Sequence, residues 1–173
     1  MTSNTSKVQN VHLSAAARIA AIIIAVAGFV YLTALEVSPP SVSILAEQLR
    51  VESRKGNVER VDALLAKGVP IDQADIDGMT ALMEASRAGR DPCVEHLLAA
   101  GANVNVCASV YSTPLIQATL NRHASTVEIL LKHGASPNLR SRLSNSALFW
   151  AADLQEPEII RLLQRYGAKV LKV

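Results

Sequence analysis

Gly68, Gly101, Gly134 and Gly167 stand 33 residues apart, and so do Leu49, Leu82, Leu115 and Leu148. The same step separates Val61, Val94, Val127 and Ile160, and again Leu64, Leu97, Leu130 and Leu163. Ala85, Ala118 and Ala151 keep it too. Five columns in register cannot be chance. A fixed internal period in this range means one small unit stacked on copies of itself, each contacting only its neighbours. Length agrees, since 173 residues suit one domain rather than two.

The chemistry inside each period describes two short helices. Thr80, Thr113 and Ser146 are N-caps, whose side-chain oxygens accept a backbone N–H at the start of a first helix. Pro114 follows at the first helical position, where its missing N–H costs nothing. Asp91 with Pro92, and later Pro157, repeat that device at the start of a second helix. Val94, Leu97 and Leu98, and then Val127, Leu130 and Leu131, draw one apolar stripe per second helix. The periodic glycines come next, where a left-handed residue ends a helix without a Cβ penalty. Helices of about nine residues are marginal alone, so each must bury its stripe against the next unit.

The segments GMTALMEASRAGRDPCVEHLLAAGANVN and STPLIQATLNRHASTVEILLKHGASPN resemble ankyrin repeats. The family pattern reads D-x-x-G-x-T-P-L-H-x-A and later L-L-x-x-G-A-x-x-N. The resemblance covers residues 44–173 and implies an all-α solenoid of four helix-turn-helix units with short β-hairpin fingers. The units fall at about 44–74, 75–107, 108–140 and 141–173. The terminal units read as polar caps: Glu47, Gln48, Arg50, Glu52 and Arg54 mark the first, and Gln164, Lys169 and Lys172 the last. The histidine of the pattern is replaced by Met83, Ile116 and Phe149. Trp150 falls in a column usually packed within the stack.

In the family, partners meet the finger tips and the concave face of the first helices. Those positions here are Ile76, Asp77, Met79, Arg87 and Ala88, then Cys107, Ser109, Val110, Tyr111, Ser112, Leu120 and Asn121. The last unit contributes Arg140, Arg142, Leu143, Asn145, Asp153 and Leu154. Unit two keeps Asp75, Asp77 and Gly78 in its finger, whereas Ala108, Val110 and Tyr111, and then Ser141, Leu143 and Ser144, replace them in the next two. The resulting expectation is an apolar centre of Val110, Tyr111 and Leu143, rimmed by Arg140 and Arg142, which a protein partner covers. Local repacking of drifted turns is the alternative.

Ahead of the repeats, residues 1–18 are polar or small and carry no acid. Ile19 to Leu35 is uncharged throughout. As a helix it reaches about 25 Å, the short end of what spans a bilayer. An uncleaved transmembrane anchor is the expectation. A signal peptide cleaved near Ala25/Ala27, or near Ala34 with Leu32, is the alternative. Lys7 and Arg18 precede the run and only Arg50 follows it closely, which places the repeats outside the cytoplasm. Residues 36–43, with Pro39 and Pro40, read as a stiff spacer. This architecture resembles a small bacterial ankyrin-repeat protein with an N-terminal membrane or signal segment, its repeats in the periplasm.

Composition narrows the function further. A net charge of +2 with scattered Lys and Arg gives no nucleic-acid surface. Cys93 and Cys107 are too few for a disulfide scaffold and match no metal spacing, so free thiols are expected. There is no Gly-rich phosphate loop and no G-x-S-x-G. His12, His96, His123 and His133 fall at no metal-ligand spacing. The expectation is therefore a non-enzymatic protein-binding module of the cell envelope, without cofactor, metal or small-molecule substrate. A structural subunit buried permanently in an envelope complex is the alternative.

Overall fold

The computed structural model of the chain describes residues 41–107, 112–140 and 145–169. Eight helices follow one another there: α1 Val42–Lys55, α2 Val58–Leu65, α3 Ala81–Arg87, α4 Asp91–Ala99, α5 Pro114–Leu120, α6 Ala124–Lys132, α7 Ala147–Asp153 and α8 Pro157–Arg165. Each pair is one unit. First helices pack on first helices in the order α1, α3, α5, α7, and second helices α2, α4, α6, α8 follow the same order beside them. Helix α1 takes in Val42 and Ser43, which the sequence reading assigned to the spacer.

The caps form as their chemistry requires. Thr80, Thr113 and Ser146 each accept the backbone N–H three residues on, at 3.4, 3.2 and 3.4 Å. Asp91 is a correction. The N-cap of α4 is Arg90, and Asp91 is the first helical residue, where its carboxylate faces the helix N-terminus and accepts from Thr126 Oγ1 in the next unit. The periodic glycines take φ of 80°, 92°, 86° and 84°. The residue after each closes the turn, as Ala102 N–H donates to Leu97 O at 3.0 Å and Ala135 to Leu130 O at 2.9 Å.

A second left-handed column lies inside each unit, between its two helices: Gly56, Gly89, Arg122 and Gln155, with φ of 82°, 62°, 62° and 57°. In each unit the next N–H donates to a carbonyl five residues back, at 3.0 Å every time, from Asn57, Arg90, His123 and Glu156. At Gly89 a Cβ would meet the His123 ring at 2.6 Å, so that position needs glycine twice over.

Burial follows the columns. Val61, Val94 and Val127 are sealed, as are Leu97, Leu130 and Leu163 and the alanines 85, 118 and 151. Fully burying one such leucine contributes roughly 1.5–3 kcal/mol. Polar latches add direction. Asn105 accepts the Ser136 N–H at 2.8 Å and donates to Gly134 O at 3.1 Å. Asn138 does the same one unit later with the Lys169 N–H and Gly167 O, at 2.9 and 3.0 Å. Asp72 occupies that place in unit one and accepts the Asn103 N–H at 3.1 Å. On the opposite edge Arg90 Nε donates to Arg54 O at 3.1 Å, and His123 Nε2 lies 3.1 Å from Arg87 O.

The expected β-hairpins are not regular strands among the described residues. The finger of unit two is a turn closed by the Asp75 N–H to Met79 O at 3.1 Å, with Asp75 Oδ1 accepting from both Asp77 and Met79. The carboxylate takes backbone donors that a strand ladder would use. In the last finger a single antiparallel bridge joins Arg140 to Ser146. No helix among the described residues is long and apolar enough to cross a membrane, and the run 19–35 lies outside them.

Two stability outcomes follow. Leu115→Ala, at 1% exposure in the central stack, should cost about 2–5 kcal/mol by denaturant titration; an unchanged midpoint would mean the column does not bear the load. Gln155→Gly relieves an exposed left-handed residue and should gain about 0.5–1 kcal/mol, the difference between αL strain and glycine's entropy cost. A lowered midpoint would show that Gln155 contributes a contact worth more than its strain.

Candidate protein-interaction surface

Successive first helices line up their faces to make the groove wall. The column Val51, Glu84, Gln117 and Trp150 changes character along it. In units one and two the wall is ionic. Arg50, only 7% exposed, pairs with Glu47, lies 3.8 Å from Asp75 and donates to Gln73 O at 3.2 Å. Glu84 pairs with Arg87 at 2.8 Å. A small recess of about 40 Å³ sits among Glu47, Arg50, Val51, Arg54, Asp75 and Glu84. In units three and four polar Gln117 is joined by Leu120 and Trp150, both half-buried against the core. Phe149, 50% exposed, meets the Trp150 ring edge-on, with centroids 5.3 Å apart and planes at 83°.

The expected partner-facing residues divide. Ile76 is 96% exposed at the tip of its finger, beside exposed Asp77. Met79 is half-buried, its Sδ 3.9 Å from Gln117 Nε2 across the unit boundary. Arg87 and Ala88 are half-buried at the end of α3, and Cys107 and Arg140 are exposed. Asn121 is exposed but turns its amide back to Gln117 O at 2.9 Å. Asn145 and Leu154 are half-buried and Asp153 is exposed. Ser112 is a correction: it is 4% exposed and donates to Thr113 O, because the residue before the cap threonine turns into the stack. Ser109, Val110, Tyr111, Arg142 and Leu143 lie outside the described residues.

Two further expectations meet the geometry. Of the two thiols, Cys93 is sealed between units and Cys107 is exposed. Burial pushes the Cys93 thiol up, with the Ser53 hydroxyl opposing, so it stays protonated in the stack. Trp150, read as core, is half-buried and packs against the core cluster. The sequence reading missed Phe149 as a surface residue. Its signal was available: a large aromatic stands in the last unit, in a column that inner units bury.

Among curated proteins, none matches this chain. The family model for ankyrin repeats in three copies matches residues 51–108 and 101–172. With the period, the paired helices and the stacked columns in place, that match spans well over half of the sequence. The chain belongs to the ankyrin-repeat family.

Proposed function

We propose that this chain is a protein-binding module whose concave face takes a segment with an apolar anchor towards units three and four and a polar flank towards units one and two. Ankyrin repeats are protein-interaction modules, typically without catalytic activity. The observation that carries the finer reading is that Glu47, Arg50, Glu84 and Arg87 hold ion pairs in units one and two, while Leu120, Phe149 and Trp150 present apolar surface in units three and four. Apolar and aromatic anchors usually dominate binding energy, while rim charges tune approach and salt dependence. Arg50 is held by its own unit and the next finger, so it shapes the groove rather than offering a free charge. The apolar centre of Val110, Tyr111 and Leu143 at the finger tips, with Arg140 and Arg142 on its rim, belongs to this proposal.

The second half of the proposal is location. The uncharged run Ile19–Leu35 tethers the module to a membrane, with the repeats outside the cytoplasm, or directs its export. The partner is accordingly a protein of the cell envelope.

Photo-crosslinking residues placed at Ile76 and Gln117 of the full-length chain in native membranes should each capture a protein. The same group at Glu95, exposed on the second-helix side, should capture none. Equal capture at Glu95 would move the interface off the groove. Tyr111→Ala with Leu143→Asp should abolish capture without lowering the melting temperature. Normal capture by a destabilised double variant would make those side chains local packing. Carbonate-washed membranes should retain the full-length mass, whereas a shortened protein in the soluble fraction would indicate cleavage and export.

A further inference from the structure

At the boundary between units one and two, the stacking columns hold different chemistry from the later boundaries. Ser86 and Thr119 are sealed and turn their hydroxyls back to Leu82 O and Leu115 O, at 2.7 and 2.8 Å. Ser53 stands in the same column, 0% exposed, yet its Oγ makes no hydrogen bond of ordinary geometry. The group it faces is the thiol of Cys93, itself sealed. One unit later Thr126 fills the Cys93 column and donates to Asp91 across the boundary. Unit one holds Val58 in the Asp91 column, with no side-chain acceptor to offer.

The edge latch is weaker there too. Asn105 and Asn138 each accept one backbone N–H and donate to a glycine carbonyl. Asp72 accepts the Asn103 N–H with both oxygens, at 3.1 and 3.3 Å, and has no amide hydrogen for Gly101 O. On the second-helix side exposed Asp62 meets His96 Nε2 at 2.5 Å, where units three and four place Ile129 and Leu162 in the histidine's column. The first-helix side is firm. Leu49 and Leu82 are sealed, Arg50 holds Gln73 O, and Arg90 holds Arg54 O. Between those two anchored carbonyls lie left-handed Gly56, then α2 and the turn after it. Helix α2 has a second-helix neighbour on one side only, α4.

We propose that residues 57–72 form a flap that opens away from α4 while α1 stays docked, and that the uncovered Cys93 thiol then exchanges with a small disulfide that holds the flap open. Closed, the site keeps Cys93 from solvent and from any reagent. Open, it admits water, which bonds the Ser53 hydroxyl and lets the thiolate form. The Cys93 sulfur attacks one sulfur of the disulfide R–S–S–R. That S–S bond breaks, a Cys93–S–S–R bond forms, and R–S⁻ leaves to take up the proton Cys93 released. Cys93 is oxidised and one half of the disulfide is reduced. The added group has no room where Cys93 is 0% exposed, so the flap stays open until a thiol reverses the exchange.

The test uses purified full-length chain carrying Cys107→Ser, with 2-hydroxyethyl disulfide as probe and mass spectrometry as readout. The labelling rate should depend only weakly on urea below the unfolding transition, because a flap exposes little surface. Asp72→Asn supplies the missing donor and should slow labelling about two- to tenfold, the worth of one net hydrogen bond. Ser53→Ala removes the unsatisfied hydroxyl and should slow it as well, and it serves if Asp72→Asn perturbs folding. Asn138→Asp takes the same donor from the last boundary and should leave the rate unchanged while lowering the melting temperature. In the labelled chain the amides of α2 should exchange faster, with those of α5 still protected. Labelling with the urea dependence of global unfolding would overturn the proposal. So would an unchanged rate in both slowing variants, acceleration by Asn138→Asp, or α2 amides that exchange no faster after labelling.

Discussion

Everything in this fold depends on burial across the boundary between units. A helix of seven residues such as α3 or α5 makes too few internal hydrogen bonds to persist alone. What fixes it is a neighbour on either side, with Leu82 and Leu115 sealed between them. The hydrogen bonds that cross the boundary are few and directional. Asn105 and Asn138 tie one edge, and Arg90 and His123 tie the other. Each contributes about 0.5–1.5 kcal/mol net, so burial supplies the cohesion and the latches set the angle.

That division of labour explains the groove. Most stacking positions are occupied by small or aliphatic residues, and the columns that open to solvent vary in charge and size. Val51, Glu84, Gln117 and Trp150 share one backbone position yet span the range from aliphatic to ionic to aromatic. The ionic part is also the part nearest buried Arg50, whose guanidinium has to be compensated on several sides by Glu47, Asp75 and Gln73 O. A buried charge of this kind contributes little net stability, but breaking it is costly. It therefore holds the first finger against the first helix and stiffens the polar half of the groove.

The columns, the threonine and serine caps and the glycine turns were legible in the sequence because each is a local requirement repeated at one step. The second left-handed column was not, because Arg122 and Gln155 interrupt the glycines at 56 and 89. Only the backbone shows that all four share one conformation. Asp91 looked like a cap, but a cap's identity depends on where the chain turns, one residue earlier at Arg90. The candidate surface was legible as a set of faces and less so as individual side chains. Ser112 turns inward while Ile76 stands wholly out, a difference of orientation within a loop that no periodicity reports. Residues 108–111 and 141–144, the remaining finger tips, lie outside what the structure describes.

The same column logic separates a polar residue that caps from one that merely happens to be polar. Of the charged and amide residues on α1, Gln48 and Glu52 sit in columns that face a preceding unit, whereas Arg50 sits in one that faces the following unit. The first two close the end of the stack; Arg50 is covered by unit two and works inside the fold. At the other end Gln164 takes a leucine's place on the second helix, but on the first helix Phe149 keeps the apolar character of Met83 and Ile116. An end is closed only when both helices of its unit change character. The first unit satisfies that condition through Gln48 and Glu52 on α1 and Arg60 on α2, and the last unit meets it on α8 alone.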